Sequence, residues 1–250
     1  MQAVILAAGT GQRLRPITDN LPKCLIQIGE ETLLEYSLDA LRKSGIGEVI
    51  IVTGFLENMI KEKIGNNYKD VKITFILNEK YDRTGSMYSL SQAKSAIKDK
   101  DILLLESDLL YEPQAIKTAL NSPFKDCILV ADLSNSGDEV YICVDENFRL
   151  TDLGKNVPFE SKINALGELV GISRYSKEFL EFLFKKAEED YSQGEFLRHY
   201  EEFVFSVNQL GYPVYALLCK GLAWIEIDKK EDLERAEQVI YPKIKRLALA

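Results

Sequence analysis

The stretch from Leu6 to Lys23 reads Leu-Ala-Ala-Gly-Thr-Gly-Gln-Arg-Leu-Arg-Pro-Ile-Thr-Asp-Asn-Leu-Pro-Lys and decides the fold of the first half of the chain. Ahead of it, residues 3–6 form a short apolar run that is typical of a buried strand. Behind it, residues 30–44 carry a helical pattern of apolar positions. The stretch is therefore predicted to be the loop at the carboxyl end of the first strand, where open α/β sheets bind their ligands.

Small residues occupy the first part of this loop, and they let the backbone approach a ligand and direct N–H groups at phosphate oxygens. They are Ala7, Ala8, Gly9 and Gly11, and three cations follow at Arg13, Arg15 and Lys23. This order suits a triphosphate, although a glycine-rich turn with surface basic residues is the alternative. The loop is not a dinucleotide fingerprint, since Leu14 replaces the third glycine, and no Gly-Lys-Ser/Thr follows to make a P-loop.

The spacing of the whole stretch resembles the signature of sugar-phosphate-type nucleotidyltransferases, L-A-A-G-x-G-x-R-L-x-P-x-T-x-x-x-P-K. Every specified position of that signature is met between Leu6 and Lys23. The resemblance implies a loop that wraps a nucleoside triphosphate, with Leu6, Ala7, Ala8, Gly9 and Gly11 as nucleotide-binding residues. It also implies that Arg13 holds the departing pyrophosphate and that Lys23 contacts the reacting phosphates.

Composition limits the fold and the partners. The chain has 250 residues, of which 46% are hydrophobic, and this is enough for one large core, so residues 1–250 are predicted to form a single domain. Residues 241–250 have no clear place in the pattern, and a linker could begin there. The net charge of −8 argues against nucleic acid as a partner. Neither a signal peptide nor a membrane span is recognisable, so the expected compartment is the cytoplasm. The oligomeric state cannot be read from the sequence.

The order of predicted elements indicates the fold class. Strands at residues 48–53 and 71–77 alternate with helices, which predicts a Rossmann-like, mostly parallel sheet flanked by helices. From Cys127 onward, several strands separated mostly by short turns predict an antiparallel extension on the acceptor side. His199 is the only histidine, and the four cysteines form no C-x-x-C pair, which disfavours histidine triads, zinc sites and a disulfide framework.

The segment of residues 78–90 follows the third predicted strand and should lie beside the first loop. The family resemblance places recognition of the nucleobase here and assigns it to Asn78, Gly85 and Ser86. A surface loop in which Ser86 is the N-cap of the next helix is the alternative, and capping is compatible with binding.

Acidic residues end two further predicted strands. Asp108 follows the apolar strand of residues 101–106, and Glu226 and Asp228 end the last strand on the same face. The resemblance implies that Asp108 and Asp228 bind Mg²⁺, with Glu226 able to join them. Asp228 also fits a capping box with Glu231, which is the structural alternative.

The acceptor side is predicted from weaker matches. Lys155 falls where relatives have a lysine that contacts the acceptor phosphate, and Glu168 lies in a segment that resembles the cytidylyltransferase branch. Tyr200 is placed with them as an acceptor-binding residue. Phosphocholine enzymes of the family carry a tryptophan where this chain has Val140. Because a trimethylammonium group needs aromatic faces, this difference favours an acceptor with a primary amine.

Short segments later in the chain also resemble the small CTP-dependent enzymes; they are Tyr81, 87–90, 192–196 and 224–228. The resemblance implies Mg²⁺-dependent transfer of CMP from CTP to 2-aminoethylphosphonate, with release of pyrophosphate. Phosphocholine is the second acceptor considered and a sugar 1-phosphate the third. The non-enzymatic alternative is an inactive nucleotide-sensing subunit, but such chains tend to lose the cations or acidic residues that this one retains.

Overall fold

The strands are short and mostly apolar, and in the computed structural model, which describes residues 1–248, they form a ten-stranded sheet and two small two-stranded sheets. In chain order the strands are β1 (Gln2–Ala7), β2 (Gln27–Ile28), β3 (Glu31–Thr32), β4 (Glu48–Thr53), β5 (Asn67–Tyr68), β6 (Val71–Leu77), β7 (Ile102–Glu106), β8 (Leu109–Tyr111), β9 (Cys127–Ala131), β10 (Tyr141–Val144), β11 (Leu150–Gly154), β12 (Gly167–Tyr175), β13 (Tyr215–Leu218) and β14 (Trp224–Glu226). The helices are α1 (Leu33–Lys43), α2 (Glu57–Ile64), α3 (Ser86–Gln92), α4 (Gln114–Leu120), α5 (Phe159–Ile163), α6 (Lys177–Ser192), α7 (Tyr200–Gln209), α8 (Lys230–Arg235) and α9 (Tyr241–Leu247).

The parallel half of the large sheet has the order β7-β1-β4-β6, with β1 between two parallel neighbours. Successive side chains of β1 point to opposite faces of the sheet. Val4 packs into the apolar cluster under α3, α6 and α7, whereas Ile5 packs into the cluster under α1, α2 and α4. Helices therefore cover both faces, which explains why β1 is buried along its whole length.

The antiparallel half is built around β12, which pairs antiparallel with β7, β9 and β10. The pairing of β12 with β9 shifts register between Leu169 and Ser173, and Gly171 lies in this irregularity with a φ of +81°. This half confirms the predicted antiparallel extension and, with the parallel half, the predicted fold class. The last strand, β14, is outside the large sheet and pairs with β8.

The end of the chain packs against the molecule where a linker could have begun. Residues 241–247 form helix α9, and Ile244 is buried in a third apolar cluster together with Ile225 and Ile227. Residues 241–247 are therefore part of the packed structure, because an apolar residue of the helix is held in the core. Residues 249–250 lie outside the described part of the chain. Among the described helices, none has the length and apolar content needed to cross a bilayer.

Helix termini show where local sequence signals hold and where they do not. Thr32 caps α1 and forms a capping box with Glu35, as the Thr-x-x-Glu spacing favours. Helix α3 begins at Ser86, but its N-cap is Gly85, so the interpretation of Ser86 as the cap is wrong. Helix α7 begins at Tyr200, and the preceding residues 195–199 lie over Gly85, whose N–H donates to the Phe196 carbonyl at 2.8 Å.

Gly85 is expected to be intolerant of any side chain. A Cβ at this position would overlap the carbonyl oxygens of Leu197 and Arg198, although its φ of −80° is allowed for alanine. We expect Gly85→Ala to lower the free energy of unfolding by about 1–3 kcal/mol, the usual cost of overpacking. Gly47→Ala is the matched control, because no atom lies within 4 Å of its Cβ position. Urea unfolding measures both, and equal stability of the two variants would contradict the close packing.

Candidate active site

A cavity of about 830 Å³ lies at the carboxyl ends of the parallel strands. The loops after β1, β6 and β7 line one side of it, and residues from 132–140 and 224–228 line the other. Because parallel strands end at the same edge of a sheet, segments far apart in sequence meet here. The structure therefore brings most of the predicted site residues into one space.

Lys23 lies between two aspartates at the base of this cavity. Its Nζ donates to Asp108 Oδ2 at 2.6 Å and to Asp228 Oδ1 at 2.5 Å, and its side chain is 12% exposed. Burial alone would lower the pKa of Lys23, but the charges of Asp108 and Asp228 outweigh it and raise the pKa above its ordinary value. Lys23 is therefore a fixed cation, and it draws the ends of β7 and β14 together.

Three carboxylate groups, one of them that of Asp108, converge beside Lys23. One oxygen each from Glu106, Asp108 and Glu226 lies within 4.8 Å of the others. Burial and the charge of Asp108 raise the pKa of Glu106 to about 8, and burial with the same neighbour raises the pKa of Glu226 well above its usual value. Asp108 Oδ1 is buried and has no hydrogen-bond partner among the described residues. Clustered carboxylate oxygens with an unpaired acceptor fit a hard divalent cation such as Mg²⁺.

The predicted metal ligands are distributed differently from expectation. Asp108 and Glu226 belong to the cluster, whereas the carboxylate of Asp228 lies beside it and bonds to Lys23 and Arg13. Glu106 completes the cluster and was missed, although a residue two positions before Asp108 shares its side of an extended chain. Tyr200 is buried, and its hydroxyl donates to Glu106 Oε1 at 2.8 Å. It therefore orients a carboxylate and does not line the cavity as an acceptor-binding residue would.

Asp228 does not cap the following helix. The backbone N–H groups of Asp228 and Lys229 donate to Asp232 Oδ2 at 3.0 Å and 2.8 Å. The predicted capping box with Glu231 is therefore wrong, because Asp232 makes those contacts. The Asp228 carboxylate points into the cavity, and Lys23 and Arg13 overcome the effect of burial and lower its pKa.

The first loop forms the floor on the nucleotide side. Leu6 and the small residues Ala7, Ala8, Gly9 and Gly11 all line the cavity. Gly11 has a φ of +61°, and its carbonyl accepts a hydrogen bond from the Thr18 hydroxyl at 2.7 Å. The turn is thus held in a left-handed conformation that favours glycine.

The second loop is organised by Asn78. This residue is fully buried, and its amide nitrogen donates to Thr84 Oγ1 at 3.1 Å and to Ser89 Oγ at 3.0 Å. Its placement disagrees with the expected direct contact to a base, because its side chain ties the loop together behind the cavity wall. Gly85 and Ser86 line the cavity, and Ser86 Oγ accepts from the Tyr200 N–H at 3.0 Å.

The acceptor side of the cavity is acidic. Glu168 is 3% exposed and accepts from the Ser134 hydroxyl at 3.0 Å, and burial raises its pKa while Ser134 opposes the shift. Glu139 lies on the same side, and Lys155 lines the rim. Among the described residues that line the cavity, Tyr81 is the one tyrosine and Trp224 the one tryptophan, and there is no phenylalanine. This side therefore offers carboxylates in place of a multi-ring aromatic cage.

Comparison with known proteins agrees with this arrangement. The family model described as nucleotidyl transferase matches residues 2–136, which is more than half of the chain. The chain belongs to this family. It is a nucleotidyltransferase, as the loop signature predicted, and its resemblance to the cytidylyltransferase branch is confirmed by the relatives described next.

Two curated relatives cover most of this nucleotidyltransferase. Choline-phosphate cytidylyltransferase of Streptococcus pneumoniae is 26% identical over 246 residues, covering 96% of this chain and 98% of that protein. CTP:phosphoglutamine cytidylyltransferase of Campylobacter jejuni is 30% identical over 207 residues, covering 72% of this chain and 75% of that protein. The solved inositol-1-phosphate CTP transferase from T. maritima superposes with a TM-score of 0.79 at 23% identity, covering 98% of this chain and 96% of the other, which shows a shared fold.

We expect Lys23 to act mainly in the transition state of the nucleotidyltransferase. Lys23→Ala should lower kcat by at least ~10²-fold and raise the KM for the nucleotide much less, because the cation opposes charge that builds up during transfer. Steady-state pyrophosphate release measures both constants. Lys117→Ala, which changes an exposed lysine of α4, is the control for charge. A rise in KM alone would make Lys23 only a binding residue.

We expect Asp108 to be required for cation binding. Asp108→Asn should weaken Mn²⁺ binding, read by electron paramagnetic resonance without substrate, and should lower turnover by at least ~10²-fold. Asp70→Asn removes an aspartate whose side chain is 73% exposed and should leave both unchanged. Unaltered Mn²⁺ affinity in folded Asp108→Asn would contradict the assignment.

Proposed function

We propose that this nucleotidyltransferase transfers CMP from CTP to 2-aminoethylphosphonate and releases pyrophosphate. Use of CTP is supported by the Streptococcus and Campylobacter relatives, both of which are named as cytidylyltransferases. The observation that carries the choice of acceptor is the acidic wall at Glu139 and Glu168, which lacks a multi-ring aromatic cage. An ammonium group that can donate hydrogen bonds suits this wall.

The reaction joins two anions, so charge is its main obstacle. A phosphonate oxygen of the acceptor attacks the α-phosphorus of CTP and forms a new P–O bond. The bond between the α-phosphorus and the oxygen that bridges it to the β-phosphate breaks, and pyrophosphate leaves. In this proposal Lys23 neutralises the reacting groups and Arg13 holds the departing pyrophosphate, and both residues line the cavity. Both contributions are electrostatic and depend on positions fixed before the substrates bind.

Mg²⁺ is proposed as the cation of the carboxylate cluster. Asp108, Glu226 and Glu106 would hold it, with Asp228 alongside through its bond to Lys23. When bound, it would neutralise phosphate oxygens and help to align them. Tyr200 contributes by holding Glu106 in the orientation that faces the cluster.

The acceptor's amine is distinguished by its hydrogen bonds. A primary ammonium donates to carboxylates, whereas a trimethylammonium donates none and is bound by aromatic faces. Phosphocholine is the second candidate, because Trp224 lines the cavity and the Streptococcus relative is named for that substrate. A purely structural or sensing role is not favoured, since Arg13, Lys23, Asp108 and Asp228 all face the cavity.

The acceptor preference gives a direct test. We expect kcat/KM for 2-aminoethylphosphonate to exceed that for phosphocholine by at least ~10²-fold, because buried carboxylates left unpaired penalise the wrong ligand. Glu168→Gln should reduce this ratio, whereas Glu146→Gln, an exposed turn position, should not. Pyrophosphate release with each acceptor measures the ratio. Equal or higher efficiency with phosphocholine would show that the acceptor assignment is wrong.

A further inference from the structure

A chain of ion pairs crosses the cavity from the nucleotide loop to the acceptor side. Arg13 forms an ion pair through one terminal nitrogen with Asp228 Oδ2 at 2.7 Å, and its other terminal nitrogen donates a hydrogen bond to Asp138. Lys155 Nζ donates to Asp138 Oδ1 at 2.8 Å. Asp138 lies between β9 and β10, so one carboxylate connects a cation of the first loop with a cation just past β11.

Asp138 pairs with two cations, Arg13 and Lys155, that the proposed reaction uses to bind its anionic substrates. Arg13 is 50% exposed and Asp138 is 26% exposed, so solvent and ligands can reach the pair. Burial opposes ionisation of Asp138, but Lys155 and Arg13 lower its pKa, which keeps it anionic at neutral pH. A polyphosphate that reaches Arg13 would compete for the same N–H donors and would repel the Asp138 charge.

We propose that Asp138 is a resident counter-ion shared by Arg13 and Lys155, and that each anionic substrate must displace it in order to bind. Because one carboxylate makes both contacts, the first anion to arrive repels it from both cations and bears that cost, and the second anion then finds its cation free of the counter-ion. The two substrates are thereby coupled, in the sense that each favours binding of the other relative to an enzyme without Asp138. Asp138 is a positioning residue in this scheme, because it acts through Arg13 and Lys155. The inference rests on the proposed roles of those two residues and not on the identity of the base.

Inorganic pyrophosphate tests the first step, because it is independent of both base and acceptor. In titration calorimetry at fixed Mg²⁺, Asp138→Asn should bind pyrophosphate about 3- to 5-fold more tightly than the wild type, as expected for loss of an exposed ion pair. Glu188→Gln removes the same charge from the exposed pair with Lys94 and should bind as the wild type does. The double variant Arg13→Gln, Asp138→Asn should not show this tighter binding of pyrophosphate. That result separates competition at Arg13 from a general effect of net charge.

Substrate coupling tests the second step. The pyrophosphate Kd is measured with and without saturating 2-aminoethylphosphonate, and again with inorganic phosphate in its place. The pyrophosphate Kd without the second ligand, divided by the Kd with it, should be larger in the wild type than in Asp138→Asn. Direct repulsion between the two ligands is common to both proteins and cancels in this comparison. Equal ratios, unchanged or weaker pyrophosphate binding by Asp138→Asn, or no binding by any variant would overturn the proposal. Failure with 2-aminoethylphosphonate but success with phosphate would instead count against the acceptor assignment.

Discussion

Four carboxylates meet at one edge of the sheet, and the structure of the site depends on how their charge is compensated. Asp108 and Asp228 share the ammonium group of Lys23, while Glu106 and Glu226 remain close to them in a largely buried space. Desolvated like charges repel, so such a group persists only where cations are held against it. The backbone aligns the acidic ends: the Ile227 N–H donates to the Asp108 carbonyl at 3.0 Å. The raised pKa of Glu106 and of Glu226 reflects this repulsion, and a divalent cation bound by the cluster would relieve it.

Charges are also compensated by ion pairs across the rest of the cavity. Cations from the first loop and from the acceptor side are held by carboxylates before any substrate is present, in the order Lys155, Asp138, Arg13 and Asp228. In the proposed scheme, anionic substrates exchange one set of counter-ions for another and do not enter an empty basic pocket. Such a site for a triphosphate is compatible with an acidic protein whose net charge is −8.

Much of this arrangement could be predicted where the signal is local. The spacing of residues 6–23 identified the loop, and the alternation of apolar runs identified the parallel strands, because both depend on neighbours in sequence. Contacts made between distant segments could not be predicted in this way. The burial of Asn78 depends on how its loop closes on Ser89, and the role of Asp138 depends on β9 and β10 placing it beside Arg13. At Asp228 the local capping pattern gives the wrong residue. Asp232 makes the capping contacts, and the Asp228 carboxylate pairs with Lys23.

The proposed reaction joins the α-phosphorus of CTP to an acceptor that carries a phosphonate and a primary amine. Phosphorus NMR of the protein with CTP, 2-aminoethylphosphonate and Mg²⁺ observes that bond directly. Two coupled resonances from a new linkage between a phosphate and a phosphonate are expected, growing in step with free pyrophosphate. Release of inorganic phosphate with CDP, or CTP left unchanged while the protein is folded, would contradict it.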